Sequence, residues 1–500
     1  VSYPLIARDR ERALLADFVD DPRPGPALGI VWGRRRVGKS ALLQALVAER
    51  GGFYHHAVRG SSAESLRDLA ADLGEALGLP AAPALDSWAQ AMELILRVAR
   101  DRPLPVVLDE FPYLLEHTPE LASIIQRLFA PPGASPTSSQ APSQGPSQAR
   151  LILCGSSISV MSRLLAGTAP LRGRAGLDLR VTPFDFRASR RLHGQEDLPT
   201  AVATYAVIGG VAAYARDMVM GDLPAHAGDF DRWMAARVLS PGSPLLREID
   251  LLLSEDPTTA KTRKLNLYHA TLGAVAKGHH SWSGITRYVN TGGSSLQAIM
   301  DTLVASELVT RLHDPLRANR PLYHPVDPFL RFHYAVIRRH PGFGRMDTDT
   351  AALWHRVGPT FRSQVLGPTF EWMARDWTER CAAPSTLGGT PDHVGPSVVT
   401  LPDGTTMQLD VVVAADDAHT HLADVPDRRT VRALGEAKVG ETIGLSHLAR
   451  LDMARNALGP RAATARLLLF GSRFNEALHT AAANRPEVEL IDLERIYGGE

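Results

Sequence analysis

Cysteine is almost missing: Cys154 and Cys381 are the only two in 500 residues, and they stand far apart in the chain. That excludes a disulfide framework and a cysteine-rich zinc module, and it fits a reducing cytosol. An excess of charge of either sign is missing too, since 54 basic side chains face 54 acidic ones. No global field draws the chain to nucleic acid or to an anionic membrane, so any such contact must come from a local patch. No apolar run approaches the roughly 20 residues that cross a bilayer. The first residues carry no signal-peptide pattern. A cytoplasmic protein with no membrane partner is the expectation. What is present is an ordinary soluble composition, 44% hydrophobic, in a length that holds about two to four domains.

The most informative stretch is Gly33-Arg34-Arg35-Arg36-Val37-Gly38-Lys39-Ser40, a G-x-x-x-x-G-K-S sequence. An apolar run (Leu28, Ile30, Val31, Trp32) precedes it, and a helix-forming run from Ala41 to Glu49 follows. Glycines in such a turn let backbone N–H groups face phosphate oxygens, and the following helix aims its positive dipole end at the same anion. Lys39 reaches the β- and γ-phosphates and the Ser40 hydroxyl ligates Mg²⁺ in a loop of this kind. Residues 33–41 therefore predict a site for a nucleoside triphosphate with Mg²⁺, the plainer alternative being an ordinary glycine turn between a strand and a helix.

Residues 1 to 235 alternate short apolar strands with amphipathic helices, the pattern of a parallel α/β sheet. Residues 131–150 interrupt it with Pro, Ser, Gln, Ala and Gly, a composition that predicts a disordered surface insertion within one sheet. From 236 to 340 the pattern is mainly helical, with helices over 265–276, 281–289 and 294–306, then a hairpin from 308–312 and 322–324. Three helices and a two-stranded wing describe a winged-helix module. From 360 onward comes a helix over 361–380 and then a smaller α/β unit.

A phosphate loop binds nucleotide; hydrolysis also needs an acid for the metal and a group to activate water. Val106-Val107-Leu108-Asp109-Glu110 supplies both at the C-terminal end of a buried strand, where open α/β sheets bind ligands. Asp109 would hold the Mg²⁺ hydration shell and Glu110 would orient the attacking water. The next strand runs through Cys154 into Gly155-Ser156-Ser157, where Ser156 could reach the γ-phosphate or the water. Beyond it lies a basic patch from Arg172 to Arg191, either a solvated face or the source of a phosphate-contacting arginine such as Arg174.

Arg8-Asp9-Arg10-Glu11, the phosphate loop, the Leu-Asp-Glu strand, the Cys-Gly-Ser-Ser strand, Leu171-Arg172-Gly173-Arg174 before Pro183-Phe184, and Gly209-Gly210-Val211 before Tyr214 form one series. Together they resemble the archaeal-type ATPase family of the AAA+/STAND superfamily. The resemblance continues to Asp327-Pro328-Phe329-Leu330-Arg331-Phe332, similar to the family's linker after its winged helix. It implies an α/β fold of four parts: a P-loop AAA+-type parallel sheet over 1–185, a helical lid over 186–240, an α-helical winged-helix domain over 241–345, and over 355–500 an α/β restriction-endonuclease-like domain of the PD-(D/E)XK, DUF234 type. The chain departs from the family in the 131–150 insertion and in Ala212-Ala213, where the family tends to carry a proline.

In the C-terminal part, Asp410 lies in an alternating strand, and Glu436-Ala437-Lys438 ends a second one. Residues two apart on a strand share a face, so Glu436 and Lys438 project together, and Asp410 joins them if the strands pair. Asp410 and Glu436 can hold Mg²⁺, which activates water at a scissile phosphate, while Lys438 positions or deprotonates that water. Glu371, on the preceding helix, could complete the set. These four resemble the PD-(D/E)XK residues in order and setting; an exposed ion pair at a strand edge is the plainer alternative.

The helix over 294–306 contains no Lys or Arg, which makes it poor at phosphate contact, although Arg311, Arg317 and Arg320 flank it on the wing. DNA or RNA through the winged-helix and C-terminal domains, or a protein partner, are both compatible with this, as is assembly into an oligomer. His55-His56 and His279-His280 lack the Cys or acid partners of a zinc site. Two functions follow: an ATPase whose nucleotide state controls a metal-dependent nuclease-like domain, or an ATP-driven switch with a non-catalytic binding domain.

Overall fold

The computed structural model describes residues 7–99, 102–129, 147–167, 169–255, 265–416 and 429–499. The chain divides into two compact units, the first essentially residues up to Phe184 and the second most of the chain from Asp185 onward.

In the first unit five strands form one sheet: β1 (Ala27–Trp32), β2 (Phe53–His56), β3 (Leu104–Asp109), β4 (Ala149–Gly155) and β5 (Ala175–Arg180). Their order is β2-β3-β4-β1-β5, with every neighbouring pair parallel. This is the AAA+ P-loop order, with β4 inserted between β1 and β3. The three central strands β1, β3 and β4 are mostly apolar and buried because both faces are covered, whereas the edge strands β2 and β5 carry polar residues. Leu28, Ile30, Val106, Leu108, Leu151 and Leu153 face one core, shared with the helices Ser62–Ala76, Trp88–Arg97 and Leu121–Leu128. Val31, Val107, Ile152 and Cys154 face the other, shared with the helices Asp9–Val19 and Lys39–Arg50.

The expected insertion at 131–150 lies mostly outside the described residues, and its C-terminal limit needs correction. Ala149 and Arg150 already belong to β4. Arg150 is buried, and its guanidinium donates to the carbonyl oxygens of Asp21, Arg23, Gly25 and Gln148. Carbonyl oxygens meet both Nη groups of Arg150, which lets an arginine serve as a buried strand residue.

In the second unit the helices Leu265–Ala276, Trp282–Val289 and Ser294–Ala305 precede an antiparallel hairpin of β6 (Val309–Asp314) and β7 (Arg317–Pro325). A second five-stranded sheet follows: β8 (His393–Thr400), β9 (Thr406–Ala415), β10 (Thr430–Lys438), β11 (Arg466–Gly471) and β12 (Val488–Ile491). Its order is β12-β11-β10-β9-β8. The pairs β8–β9 and β9–β10 are antiparallel, while β10–β11 and β11–β12 are parallel. Phe186, Val202 and Tyr205, from the segment after 185, pack into the same core as Phe370, Trp377, Val411 and Phe470. Phe186 meets Tyr497 edge-on at 5.3 Å, and Tyr205 stacks on Trp372 at 6.1 Å.

The helix expected over 361–380 begins earlier, at Thr350, and carries a π-turn. Thr350–Phe361 widens into a π-turn at Arg362–Leu366 before Gly367–Arg380 resumes with a proline in its first turn. Pro368 has no N–H to return to the preceding turn, so the helix opens there.

Candidate functional site

The phosphate loop follows β1 and enters the helix Lys39–Arg50. Gly33, Arg36 and Gly38 have φ of +150°, +67° and +98°. At Gly33 an added Cβ would fall 2.1 Å from the Val181 carbonyl oxygen, so the chain passes there only without a side chain. At Gly38 the same atom would meet nothing within 4 Å. The helix begins with no side-chain cap and no acid in its first turn, leaving its amide end to an anion. Lys39, 5% exposed, donates from Nζ to the carbonyl oxygens of Gly33 and Arg34 at 2.8 and 2.9 Å. Burial pulls its pKa down. Open room at a left-handed glycine, an uncapped helix end and a buried ammonium fit a polyphosphate.

Asp109 ends β3 and is fully buried. Its carboxylate accepts from Tyr54 Oη at 2.6 Å and from the Glu110 amide at 2.9 Å, and further hydrogen bonds come from Cys154 and Ser40. Burial pushes its pKa up, but these donors together outweigh burial and hold it below the usual carboxylate range. Ser40 and Asp109, the two expected Mg²⁺ ligands, are thus in contact. Glu110 sits in a left-handed conformation, φ +52°, and accepts from Ser156 Oγ at 2.8 Å. Gly33 through Ser40, Asp109, Glu110 and Ser156 therefore converge at the C-terminal edge of the sheet, and Ala41 continues the helix.

Arg174 is not brought there. It precedes β5, whose first residue, Ala175, pairs with Leu28 near the start of β1, whereas Arg180 pairs with Trp32 next to the loop. Arg174 stands at the opposite edge of the sheet and donates to the Phe129 carbonyl oxygen. Its place as a catalytic group beside the phosphates of the same chain is corrected accordingly.

Three residues gained a role only from the fold. Tyr54 faces Asp109 because β2 pairs with β3, with Tyr54 opposite Val107. The Cys154 thiol turns toward Asp109, and burial raises its pKa. Arg8 reaches the loop itself, through Val37. Arg8 and Cys154 had a signal in the sequence, their places in the Arg8–Glu11 and Cys-Gly-Ser-Ser segments of the same series; Tyr54 had none.

In the second unit Val411 of β9 pairs with Gly435 of β10, which sets Asp410 beside Glu436. Asp410 is 4% exposed and Glu436 2%. Lys438 Nζ lies 2.8 Å from Glu436 Oε1 and 3.4 Å from Asp410 Oδ2, and the Ala437 amide donates to Asp410 Oδ2 at 2.9 Å. Burial, and then the charge of Asp410, push the Glu371 pKa up from the helix Gly367–Arg380. Asp410 is raised as well, by burial first; Lys438 opposes the shift and Glu436 adds to it. Burial pulls Lys438 down, but Asp410 and Glu436 pull harder and raise it. Arg375 supports the strand from behind, donating to the Asp410 carbonyl oxygen at 2.9 Å, and Arg450 Nε stands 3.5 Å from Glu436. Among the described residues no group of three or more His, Cys, Asp or Glu side chains is placed to hold a metal ion. The buried acid pair fits a hard divalent cation in its donor chemistry, and Lys438 is the counter-charge it keeps in this structure.

The parallel sheet with its phosphate loop and strand-end acids defines a P-loop ATPase of the AAA+ order. More specifically, residues 9–210 match the family described as an ATPase domain predominantly from Archaea. An uncharacterized protein of Methanocaldococcus jannaschii is 24% identical over 355 residues, which is 70% of this chain and 72% of that protein. The Walker-type ATPase of Pyrococcus abyssi is similar at 18% identity and a TM-score of 0.47, over 66% of this chain and 96% of its own. Cdc6p from Pyrobaculum aerophilum is similar at 15% identity and a TM-score of 0.35, over 68% of this chain and 95% of its own. No helix among the described residues is long and apolar enough to cross a membrane.

Proposed function

We propose that ATP with Mg²⁺ bound at Gly33–Ala41 sets the state of a C-terminal nuclease-like domain, reached through a winged-helix module at 265–325. Lys39 neutralises the phosphates, Ser40 and Asp109 hold the hydrated metal, and Glu110, released from Ser156, polarises the attacking water. The observation that carries the nuclease half is the meeting of Asp410, Glu436 and Lys438 on paired strands, with Glu371 close enough to feel the charge of Asp410. The mixed order of that sheet supports a PD-(D/E)XK reading, with DNA or RNA as the class of substrate. A bound Mg²⁺ would supply water activation and charge neutralisation; the chain's part is to keep the acids buried and Lys438 within reach.

Incubation with linear and plasmid DNA or with RNA, in Mg²⁺ or Mn²⁺ and with or without ATP, tests this. We expect metal-dependent cleavage, altered by ATP and abolished in Glu436→Ala. No cleavage under any condition, or cleavage untouched by that substitution, sinks the nuclease half and leaves the ATPase standing. A second reading, an ATP-driven switch with a non-catalytic nucleic-acid- or protein-binding domain, is favoured by the missing third acid ligand among the described residues. It predicts that ATP analogues change partner binding or assembly in light scattering with no cleavage at all.

A further inference from the structure

Arg8 carries a charge into the interior of the first unit: it is 5% exposed and precedes the helix Asp9–Val19. Burying a guanidinium is expensive unless its donors are met, so its partners are informative. Nη2 donates to two carbonyl oxygens, those of Val37 at 2.9 Å and Thr182 at 2.8 Å. Nη1 donates to Glu11 Oε1 at 2.6 Å, and the guanidinium lies 3.9 Å from the centre of the Phe184 ring. Burial lowers its pKa, with Glu11 opposing the shift.

Val37 is inside the phosphate loop, between two residues of positive φ, Arg36 and Gly38. Its carbonyl shares a peptide plane with the Gly38 N–H. In a trans peptide the two point in opposite directions, and the chain contains no cis peptide among the described residues. A donor that fixes the Val37 oxygen therefore fixes the heading of the Gly38 amide, one of the groups an anion at the helix start would meet. Thr182 adjoins Val181, whose carbonyl oxygen walls the other end of the loop at Gly33. One planar side chain thus ties the second half of the loop to the segment that closes its first half. A left-handed non-glycine residue such as Arg36 persists only where its surroundings over-determine it; the Arg8 bond to the following peptide and the Ala213 amide on the Arg36 carbonyl oxygen both contribute to that.

We infer that Arg8 is a positioning residue for the phosphate loop, holding the Val37 peptide so that the Gly38 amide presents itself to the nucleotide. The inference rests on residues 33–41 being the nucleotide site. Binding of a fluorescent ADP analogue to the full chain tests it. Arg8→Ala should weaken binding about tenfold or more, the scale of one lost charge-assisted hydrogen bond. Millimolar guanidinium should restore much of the loss in Arg8→Ala and none of it in Lys39→Ala. Arg8→Lys should fall between, because a single ammonium can reach the carbonyls but lacks the second nitrogen that holds Glu11 and the planar face that lies over Phe184. Arg8→Ala binding as tightly as the unaltered chain, or a loss that guanidinium leaves unchanged, overturns the inference. If Arg8→Ala does not fold, Arg8→Lys decides: weakened binding with an unchanged circular dichroism spectrum supports the role, and full affinity refutes it. If the unaltered chain binds no nucleotide, the site assignment fails instead, and the two failures are distinguishable.

Discussion

Asp109 and Asp410 are both buried acids on sheet strands, 0% and 4% exposed, yet their surroundings push them in opposite directions. Asp109 accepts from neutral donors, a phenol, a hydroxyl, a thiol and an amide, with His56 Nδ1 3.5 Å away. Burial alone would raise it, and the donors win. Asp410 stands against another acid, and even with the Lys438 ammonium beside it burial prevails. Fixed dipoles favour an ionised acid with no partner present, whereas clustered acids depend on a counter-charge. Lys438, its side chain 31% exposed, is that counter-charge. The first site is preorganised by the fold; the second keeps a charge conflict that a cation would relieve.

The largest way to break the comparison is to remove the chemistry of one site and read the other. Lys39→Ala should abolish nucleotide binding. Glu110→Gln should still bind, with turnover reduced by about 10²- to 10⁴-fold, the usual worth of a positioned base. Phosphate release at saturating ATP measures this, and unchanged turnover in both would refute the site. Glu436→Ala should leave phosphate release as it was, since Glu436 has no part in the first unit.

How legible each site was follows from the same contrast. The phosphate loop is contiguous, so its glycines, Lys39 and Ser40 could be read in a row, and Asp109-Glu110 was marked by the apolar strand before it. Arg8 and Tyr54 could not be assigned, because their roles depend on which strands and loops are neighbours. Arg174 misled for a related reason: a cluster of arginines says nothing of which end of β5 each occupies. Arg150 was hidden by the polar stretch running into it, since a charged side chain satisfied by carbonyls looks like a solvated one. In the second unit the acids were readable as a strand pattern, while the π-turn at Arg362–Leu366 leaves no mark in a strong helical pattern.

A smaller effect separates the sites by what their backbones require. Gly33→Ala places a Cβ against a backbone carbonyl at 2.1 Å, at φ +150°, and nothing there can yield. Gly435→Ala, beside Glu436, meets side-chain atoms of Phe470 and Val411 at 3.0 Å, which can shift by tenths of an ångström. We expect losses of about 3 kcal/mol or more for the first and about 1–2 kcal/mol for the second. Hydrogen exchange of peptides from each unit reads the two separately. Equal losses would remove the claim that the first site is the more backbone-dependent.

The finest test inverts a sign. Folding favours the charged form of Asp109 and disfavours that of Asp410, so in metal-free buffer near neutrality Asp109→Asn should destabilise its unit and Asp410→Asn should stabilise its own, each by about 1 kcal/mol. For Asp109 the folded pKa is depressed: its contribution is complete above the ordinary value of 3.8 and is lost as pH falls through the folded pKa. For Asp410 the folded pKa is raised: the native state is penalised increasingly as pH rises from 3.8 through the folded value. The Asp410 difference should therefore shrink first, as the pH falls through its raised folded value toward 3.8, and the Asp109 difference only below 3.8. Urea unfolding of the full chain followed by exchange in each unit would show it. Two losses of the same sign would mean that Lys438 already compensates its acids in full, and the second site would then need no cation to be at rest.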